Sequence, residues 1–471
     1  MDSCECMESN IRFGTDGWRS KVDSDFSVVN VRRVAKAIEN YLHRSKNPGK
    51  GVFIGYDGRI GSKGFASACA EVLASGGIAS FLPPRPVPTP VAAFAAVRFS
   101  LSGAIMITAS HNPPTYNGIK FIPHYGGPAT ADITGEIEKL IPKAPPVSAS
   151  YGALTASGMI AQLDPIDEYF AKLEGVIAEH KLPINVTVDP MHGATAGIIE
   201  LALQRFGVSV KTVRGTIDPI FGGSVPDPIP SNMQLLKSAV IKNGSDLGFA
   251  LDGDGDRIAA VTDKGEFLMA NQILPLLYLH MLDDRSFHGD AARTVATSHF
   301  IDSIAKKRAM RIIEVPVGFK YISPLLREKK IIIGGEESGG ISFVTHIPEK
   351  DGIASALMLI ESISMSGTSL SETMAKAQDE YGSFRSLRQD IKVDHLSPTI
   401  LDDMKNRIGF QVLGESVSSI NKLDGMKITL SDASWLLFRL SGTENMLRIY
   451  AESDSIFKTE KMLAYGRSLI R

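Results

Sequence analysis

Three aspartates at alternate positions, Asp252, Asp254 and Asp256, stand in DLGFALDGDGDR, residues 246–257. Separated only by Gly253 and Gly255 at the end of a short apolar strand, their carboxylates repel one another and ask for a cation. Hard oxygen ligands suit Mg2+ or Ca2+. An EF-hand calcium loop needs Gly at its sixth position and Glu at its twelfth. Arg257 and Asp263 stand there instead, so the EF-hand reading fails. A solvated acidic turn is the plain alternative; the apolar strand leading in, and Arg257 as a partner for an oxyanion, weigh against it.

A second group lies in IMITASHNPPTYNGIKF, residues 105–121. The run Ile105, Met106, Ile107 reads as a short buried strand, and Pro113 with Pro114 prevents any return to ladder or helix. A hydroxyl (Ser110), an imidazole (His111) and an amide (Asn112) thereby sit on a stiffened loop past a strand end, where open α/β sheets bind ligands. Lys120 follows beyond Asn117 and Gly118, a pair that favours a turn. An ordinary loop that happens to hold a serine is the rival.

Two further loops have the same design. IIIGGEESGG, residues 331–340, presents Glu336, Glu337 and Ser338 between glycine pairs, among them Gly335, that let backbone approach a ligand. A carboxylate and a hydroxyl two residues apart suit vicinal hydroxyls, which both donate and accept. Taken alone, the stretch also reads as a plain acidic loop. In WLLFRLSGTENMLRIYAE, residues 435–452, Arg439 leads into Ser441, Gly442 and Thr443 between two strands. That is either an ordinary hairpin turn or a cradle for phosphate.

These four motifs, in this order, resemble those of the α-D-phosphohexomutase family. The resemblance implies that Ser110 carries a phosphoryl group exchanged with a hexose, and that Asp252, Asp254 and Asp256 bind Mg2+ with the phosphoserine supplying a fourth oxygen. It implies Lys120, with His111, as general acid/base. Arg257 and Arg19, the latter from the Gly-bracketed loop IRFGTDGWRS of residues 11–20, would balance phosphoryl charge. Glu336 and Ser338 would read sugar hydroxyls, with Gly335 beside them. Arg439, Ser441, Gly442 and Thr443 would hold the phosphate that is not reacting. Some relatives carry His where Phe319 stands, which leaves Lys320 as the polar substitute. Leu440 and Asn445 replace the two prolines usual in the last loop. The GEESGG form looks more like the family's phosphoglucomutases than its phosphoglucosamine mutases. The implied reaction is interconversion of glucose 1-phosphate and glucose 6-phosphate through glucose 1,6-bisphosphate. Phosphomannomutase, dual specificity and a non-catalytic hexose-phosphate sensor are the rivals.

The elements that must hold these loops alternate. A helical pattern at 31–43 precedes a strand at 51–59, a helix stopped by Gly76 and Gly77, and a strand at 78–83. Similar strand–turn–helix units recur at 184–194 and 293–308. A Lys264-Gly265 hairpin follows the aspartates, and a helix starts at Asp351. A charged stretch near 383–390 reads as a linker. The expected fold is α/β: three topologically similar α/β domains with mixed, largely parallel sheets, plus a smaller C-terminal α+β domain. The expected boundaries are 1–153, 154–264, 265–382 and 383–471.

Composition sets outer bounds. Hydrophobic content of 44% and charged content of 22% suit a globular chain, and a net charge of −2 argues against nucleic acid as a partner. No apolar run approaches the ~18 residues of a membrane span, and the acidic start has no signal-like apolar core. Three cysteines, Cys4, Cys6 and Cys69, indicate a reducing compartment, so a cytoplasmic enzyme is expected. Monomer and homodimer stay equally open.

Overall fold

The computed structural model describes residues 11–45, 50–392, 400–440 and 446–470. Cys4, Cys6, Ser441, Gly442 and Thr443 lie outside them. The first sheet has six strands in the order Trp18–Lys21, Tyr116–Pro123, Gly103–Ile107, Val52–Tyr56, Ser80–Leu82, Ile160–Gln162. Its middle is parallel, and Tyr116–Pro123 returns antiparallel to Gly103–Ile107. The second sheet repeats the plan: Asn185–Asp189 lies parallel to Ser209–Thr212 and Leu247–Leu251, and Ile258–Thr262 returns antiparallel. The third does so with Ala291–Thr294, Ile312–Val315, Ile333–Gly335 and Ile341–Phe343. The fourth sheet has six strands, all antiparallel, with the helix Ile456–Ser468 against it. The expected fold class is the observed one.

The parallel strands are buried along their whole length, as Val52–Tyr56, Gly103–Ile107 and Leu247–Leu251 show, because helices cover both faces. One apolar cluster runs through the first three sheets, from Phe94 through Tyr169 and Phe249 to Phe343 and Leu357. The Phe94 and Tyr169 rings meet edge to face at 5.8 Å across the first junction. The C-terminal domain has its own core around Phe438 and Met462. It touches the third domain through a smaller cluster of Val295, Ala296, Trp435, Leu437 and Tyr450. Among the described residues no single helix is long and apolar enough to cross a membrane.

Several expectations need correction. Asn117 and Gly118 make no turn; both lie inside the strand Tyr116–Pro123, which is paired on both sides. Gly118 is required there by packing, since a Cβ would come within 2.5 Å of the Thr108 carbonyl oxygen and 2.8 Å of that of Trp18. The stretch near 383–390 is no linker but most of the strand Arg385–Lys392, which pairs with Met446–Ser453 at the sheet edge. The 153/154 boundary falls before the sixth strand of the first sheet, Ile160–Gln162, and 264/265 divides the Lys264-Gly265 hairpin from its second strand, Phe267–Leu268.

Candidate active site

The serine loop leaves the strand Gly103–Ile107 at the carboxyl end of the first sheet. Ser110 takes a left-handed conformation, φ +51°, which is unfavourable for a residue with a Cβ. Its N–H donates to Thr108 Oγ1 at 2.9 Å. Arg59 holds the rest: its Nη1 donates to the carbonyls of Pro113 (2.8 Å) and Tyr116 (3.1 Å), and its Nη2 to those of Ser110 and Asn112. Asp57 in turn fixes Arg59 through Nε at 3.1 Å. So placed, the Ser110 hydroxyl donates to Asp252 Oδ2 at 2.6 Å and lies 3.3 Å from His111 Nδ1.

The second sheet delivers the aspartates to the same point. Gly253 backs directly onto the serine loop, where a Cβ would come within 2.5 Å of the Ser110 carbonyl oxygen. Asp252, Asp254 and Asp256 are buried, with one oxygen from each lying within 4.8 Å of the others. Asp254 Oδ2 accepts from Thr89 Oγ1 at 2.6 Å and Lys120 Nζ at 2.8 Å, and Asp256 Oδ2 accepts from Lys120 at 3.0 Å. The Oδ1 atoms of Asp254 and Asp256 are buried without a hydrogen-bond partner. Buried carboxylate oxygens are not left unpaired without reason, so the donor set fits a hard divalent cation. Burial, then the neighbouring carboxylates, push the Asp252 carboxyl well above the ordinary range. Asp254 goes the other way: burial opposes ionisation, but Lys120 holds the carboxyl below its usual value.

Lys120 sits on the strand Tyr116–Pro123, with its ammonium inside a carboxylate cage that includes Asp16 Oδ2 at 2.8 Å. Burial disfavours its charge, yet Asp16, Asp254 and Asp256 outweigh that and raise its pKa above the usual lysine range. His111 is pushed the opposite way, well below its ordinary value, by burial and then by Arg257 and Arg19. Arg19 Nη1 donates to Asn112 Oδ1 at 3.0 Å, and Arg257 Nε lies 4.0 Å from Asp252 and 3.9 Å from Asp256.

The third and fourth sheets close the other side of a cleft of about 820 Å³, which Arg19, His111, Arg257, Lys320, Glu336, Ser338 and Arg439 all line. Glu336 Oε1 accepts from the Gly318 N–H at 2.9 Å, and burial raises its carboxyl to about 7. Gly335 departs from expectation. It is not among the residues lining the cleft but faces the core, where a Cβ would meet the Leu274 side chain at 3.0 Å. The expected helix begins at Gly352 with Asp351 as its cap, accepting from the N–H groups of Ile353 and Ala354.

Sequence reasoning missed several groups here. Lys350 Nζ lies 3.0 Å from Asp256 and 3.2 Å from Asp16, a second buried ammonium beside Lys120. Its stem fills the space over Gly340, where a Cβ would come within 2.4 Å of Lys350 Cδ. Its signal was a lysine immediately before a helix cap. Asp16, Arg388 and Arg448 also line the cleft. Arg59 and Thr89 carried no signal beyond residue type.

Comparison with known proteins places these observations. The chain matches all four domains of the family described as "Phosphoglucomutase/phosphomannomutase": domain I over residues 10–147, domain II over 167–265, domain III over 269–381 and the C-terminal domain over 399–464. A Methanothermobacter thermautotrophicus protein named "Probable phosphoglucosamine mutase" is 32% identical, over 96% of this chain and 95% of its own. A Thermococcus kodakarensis protein named "Phosphoglucomutase/phosphomannomutase" is 28% identical, over 97% and 98%. A crystal structure from Thermus thermophilus, of a protein titled for phosphomannomutase, superposes with a TM-score of 0.86 at 30% identity, covering 98% of this chain and 99% of that one. With four domain matches in order and a whole-length fold match, the chain belongs to the phosphoglucomutase/phosphomannomutase family, the α-D-phosphohexomutases, and is an intramolecular phosphotransferase.

Proposed function

We propose that the enzyme interconverts glucose 1-phosphate and glucose 6-phosphate, with Ser110 as the phosphoryl carrier. The observation that supports this most is the Ser110 hydroxyl 2.6 Å from a buried aspartate triad, beside His111 and within reach of a cleft sized for a hexose bisphosphate. Phosphorylated Ser110 gives its phosphoryl group to the free hydroxyl of the sugar phosphate. The resulting glucose 1,6-bisphosphate turns over in the cleft and returns its other phosphoryl group to Ser110. A phosphoserine of charge about −1.5 to −2 among three carboxylates needs a counter-charge. Asp252, Asp254 and Asp256, with the phosphoserine, would hold Mg2+, which would supply that charge and polarise the transferring group.

The chain's own groups do the rest. Arg59 and Thr108 hold Ser110 in its strained conformation, so the nucleophile is pre-aimed. His111, beside the Ser110 hydroxyl, and Lys120, among the carboxylates behind it, exchange the sugar-hydroxyl proton. Arg19 and Arg257 stabilise charge on the transferring group. Glu336 and Ser338 take sugar hydroxyls at carbons 3 and 4, flanked by Lys320. Arg439, with Ser441, Gly442 and Thr443, grips the distal phosphate, so either end of the sugar fits by the same contacts.

The names of the relatives favour a second reading, a 2-amino sugar phosphate. Two observations support glucose. Among the described residues, nine Lys and Arg side chains line the cleft against five carboxylates, a poor setting for an added ammonium. Each of those carboxylates already accepts a hydrogen bond or ion pair from the protein. Mannose differs from glucose only at carbon 2, which this Glu/Ser pair does not touch. A coupled assay of the 1-phosphates of glucose, mannose and glucosamine, primed with glucose 1,6-bisphosphate, tests the reading. Glucose 1-phosphate gives the highest kcat/KM; glucosamine 1-phosphate exceeding it tenfold overturns the choice of sugar.

A further inference from the structure

The turn between the strands Glu415–Asn421 and Met426–Leu430 places Asp424 at the junction of the third and fourth domains. Its Oδ2 accepts two hydrogen bonds at once. One comes from Arg439 Nε at 2.8 Å, within the C-terminal domain, and the other from the backbone N–H of Val317 at 2.9 Å, in the third domain. The next backbone N–H, that of Gly318, donates to Glu336 Oε1 at 2.9 Å. Two successive amides therefore join the carboxylate behind Arg439 to the carboxylate proposed to read the sugar.

This joint has little freedom. Gly318 holds φ +131°, a conformation side chains rarely adopt, and a Cβ there would come within 2.8 Å of Thr15 Cγ2 from the first domain. Adjacent peptide planes share one Cα, so a displacement of the Val317 amide moves that of Gly318. On the other side, Gly425 (φ +89°) packs its Cα against the Phe438 backbone, where a Cβ would come within 2.2 Å of the carbonyl oxygen. The Asp424 turn is thus fixed to the strand that carries Arg439. Among the described residues the partner of the Arg439 side chain is Asp424, at Nε, and Arg439 lines the cleft, where the Nη edge of its fork would meet an oxyanion.

We propose that Asp424 is a positioning residue that couples the two ends of the substrate. It aims Arg439 at the distal phosphate and, through the Val317 and Gly318 amides, sets Glu336 for the sugar hydroxyls. Phosphate bound by Arg439 holds this joint in place and keeps Glu336 in register, so binding energy from the unreactive phosphate is used to orient the ring. The inference rests on the roles proposed above for Arg439 and Glu336.

The test is steady-state mutase kinetics of the full chain carrying Asp424→Ala, Asp424→Asn, Arg439→Ala and Glu336→Ala, with Asp424→Ala also combined with each of the last two. Asp424→Ala lowers kcat/KM about 10-fold and weakens inhibition by inorganic phosphate; Asp424→Asn, which keeps an acceptor oxygen, returns to within about 3-fold of the parent. Added to Arg439→Ala or to Glu336→Ala, Asp424→Ala costs less than about 3-fold further, because the interaction is already broken. A merely structural role gives the same factor in every background. That multiplicative result, or an asparagine variant no better than alanine, overturns the inference while leaving the site assignments intact. Neutral Arg439→Ala and Glu336→Ala variants overturn both. Asp424→Ser, too short to reach both donors, replaces the alanine variant in the same comparison if that protein does not fold.

Discussion

Replacing Arg59 by Lys isolates the contribution of the serine-loop scaffold, because it keeps the charge beside Asp57 and removes the planar fork. Arg59 makes four hydrogen bonds to loop carbonyls, and its ion pair with Asp57 is fully buried. Burial, ahead of the attraction of Arg59, pushes the Asp57 carboxyl up, so this pair depends on close contact. A lysine ammonium has three donors and no fork, so with Asp57 engaged it loses at least two of the four carbonyl contacts. Hydrogen bonds to charged groups contribute about 1.5–3 kcal/mol each. Allowing for non-additivity, Arg59→Lys destabilises the protein by about 2–4 kcal/mol. The left-handed Ser110 costs about 1–2 kcal/mol that those bonds offset. Once the loop is free to relax, the productive conformer falls about 5–30-fold, and kcat with it. Urea titration measures the first effect and the coupled mutase assay the second. An Arg59→Lys enzyme within twofold of the parent kcat, folded and with its urea midpoint lowered, would refute the claim that these bonds aim the nucleophile.

The remaining predictions concern the cation, the sugar and the distal phosphate. EDTA abolishes mutase activity and Mg2+ restores it, whereas Asp254→Asn leaves residual activity that added Mg2+ does not recover; full rates with Ca2+ contradict the assignment. Glu336, raised by burial to about 7, is protonated below that pH and loses its capacity to accept two sugar hydroxyls, so kcat/KM falls as pH drops through about 7. Because the substrate phosphate also titrates near ~6, the decisive comparison is Glu336→Gln, in which the inflection near 7 disappears. Arg439→Ala lowers kcat/KM at least ~10-fold in both directions, about 1.4 kcal/mol; unchanged kinetics would show the phosphate held elsewhere.

What the sequence revealed follows from where the chemistry lies along the chain. Asp252, Asp254 and Asp256 are contiguous, and the glycines between them are themselves informative, because close approach to the serine loop leaves no room for a Cβ at Gly253. Ser110 and Glu336 likewise stand in loops that end buried strands, so local pattern marked the loops, and the order of the motifs, matched to a family, picked out the residues. Lys350, Asp16 and Arg59 act as single residues delivered by distant segments, and spacing holds no trace of such a meeting. Lys350 lies 94 positions from Asp256 in the chain yet 3.0 Å away in space. Two errors came from local rules that tertiary pairing overrode. Asn117 and Gly118 look like a turn but are paired with Ser20 and Arg19 of the strand Trp18–Lys21, and the Gly118 carbonyl accepts from the Thr108 N–H on the other side. The strand Arg385–Lys392 looks like a linker because, paired along only one edge, it buries no residue fully.

The central claim is that Ser110 carries the phosphoryl group. Intact-mass analysis of the enzyme after incubation with glucose 1,6-bisphosphate, with fragmentation to place the modification, tests it directly. The account predicts one phosphoryl group per chain, on Ser110, discharged by excess hexose phosphate and absent from Ser110→Ala, which has no mutase activity. A Ser110→Ala enzyme turning over at the parent rate, or a stoichiometric phosphoryl group on any other residue, would contradict it.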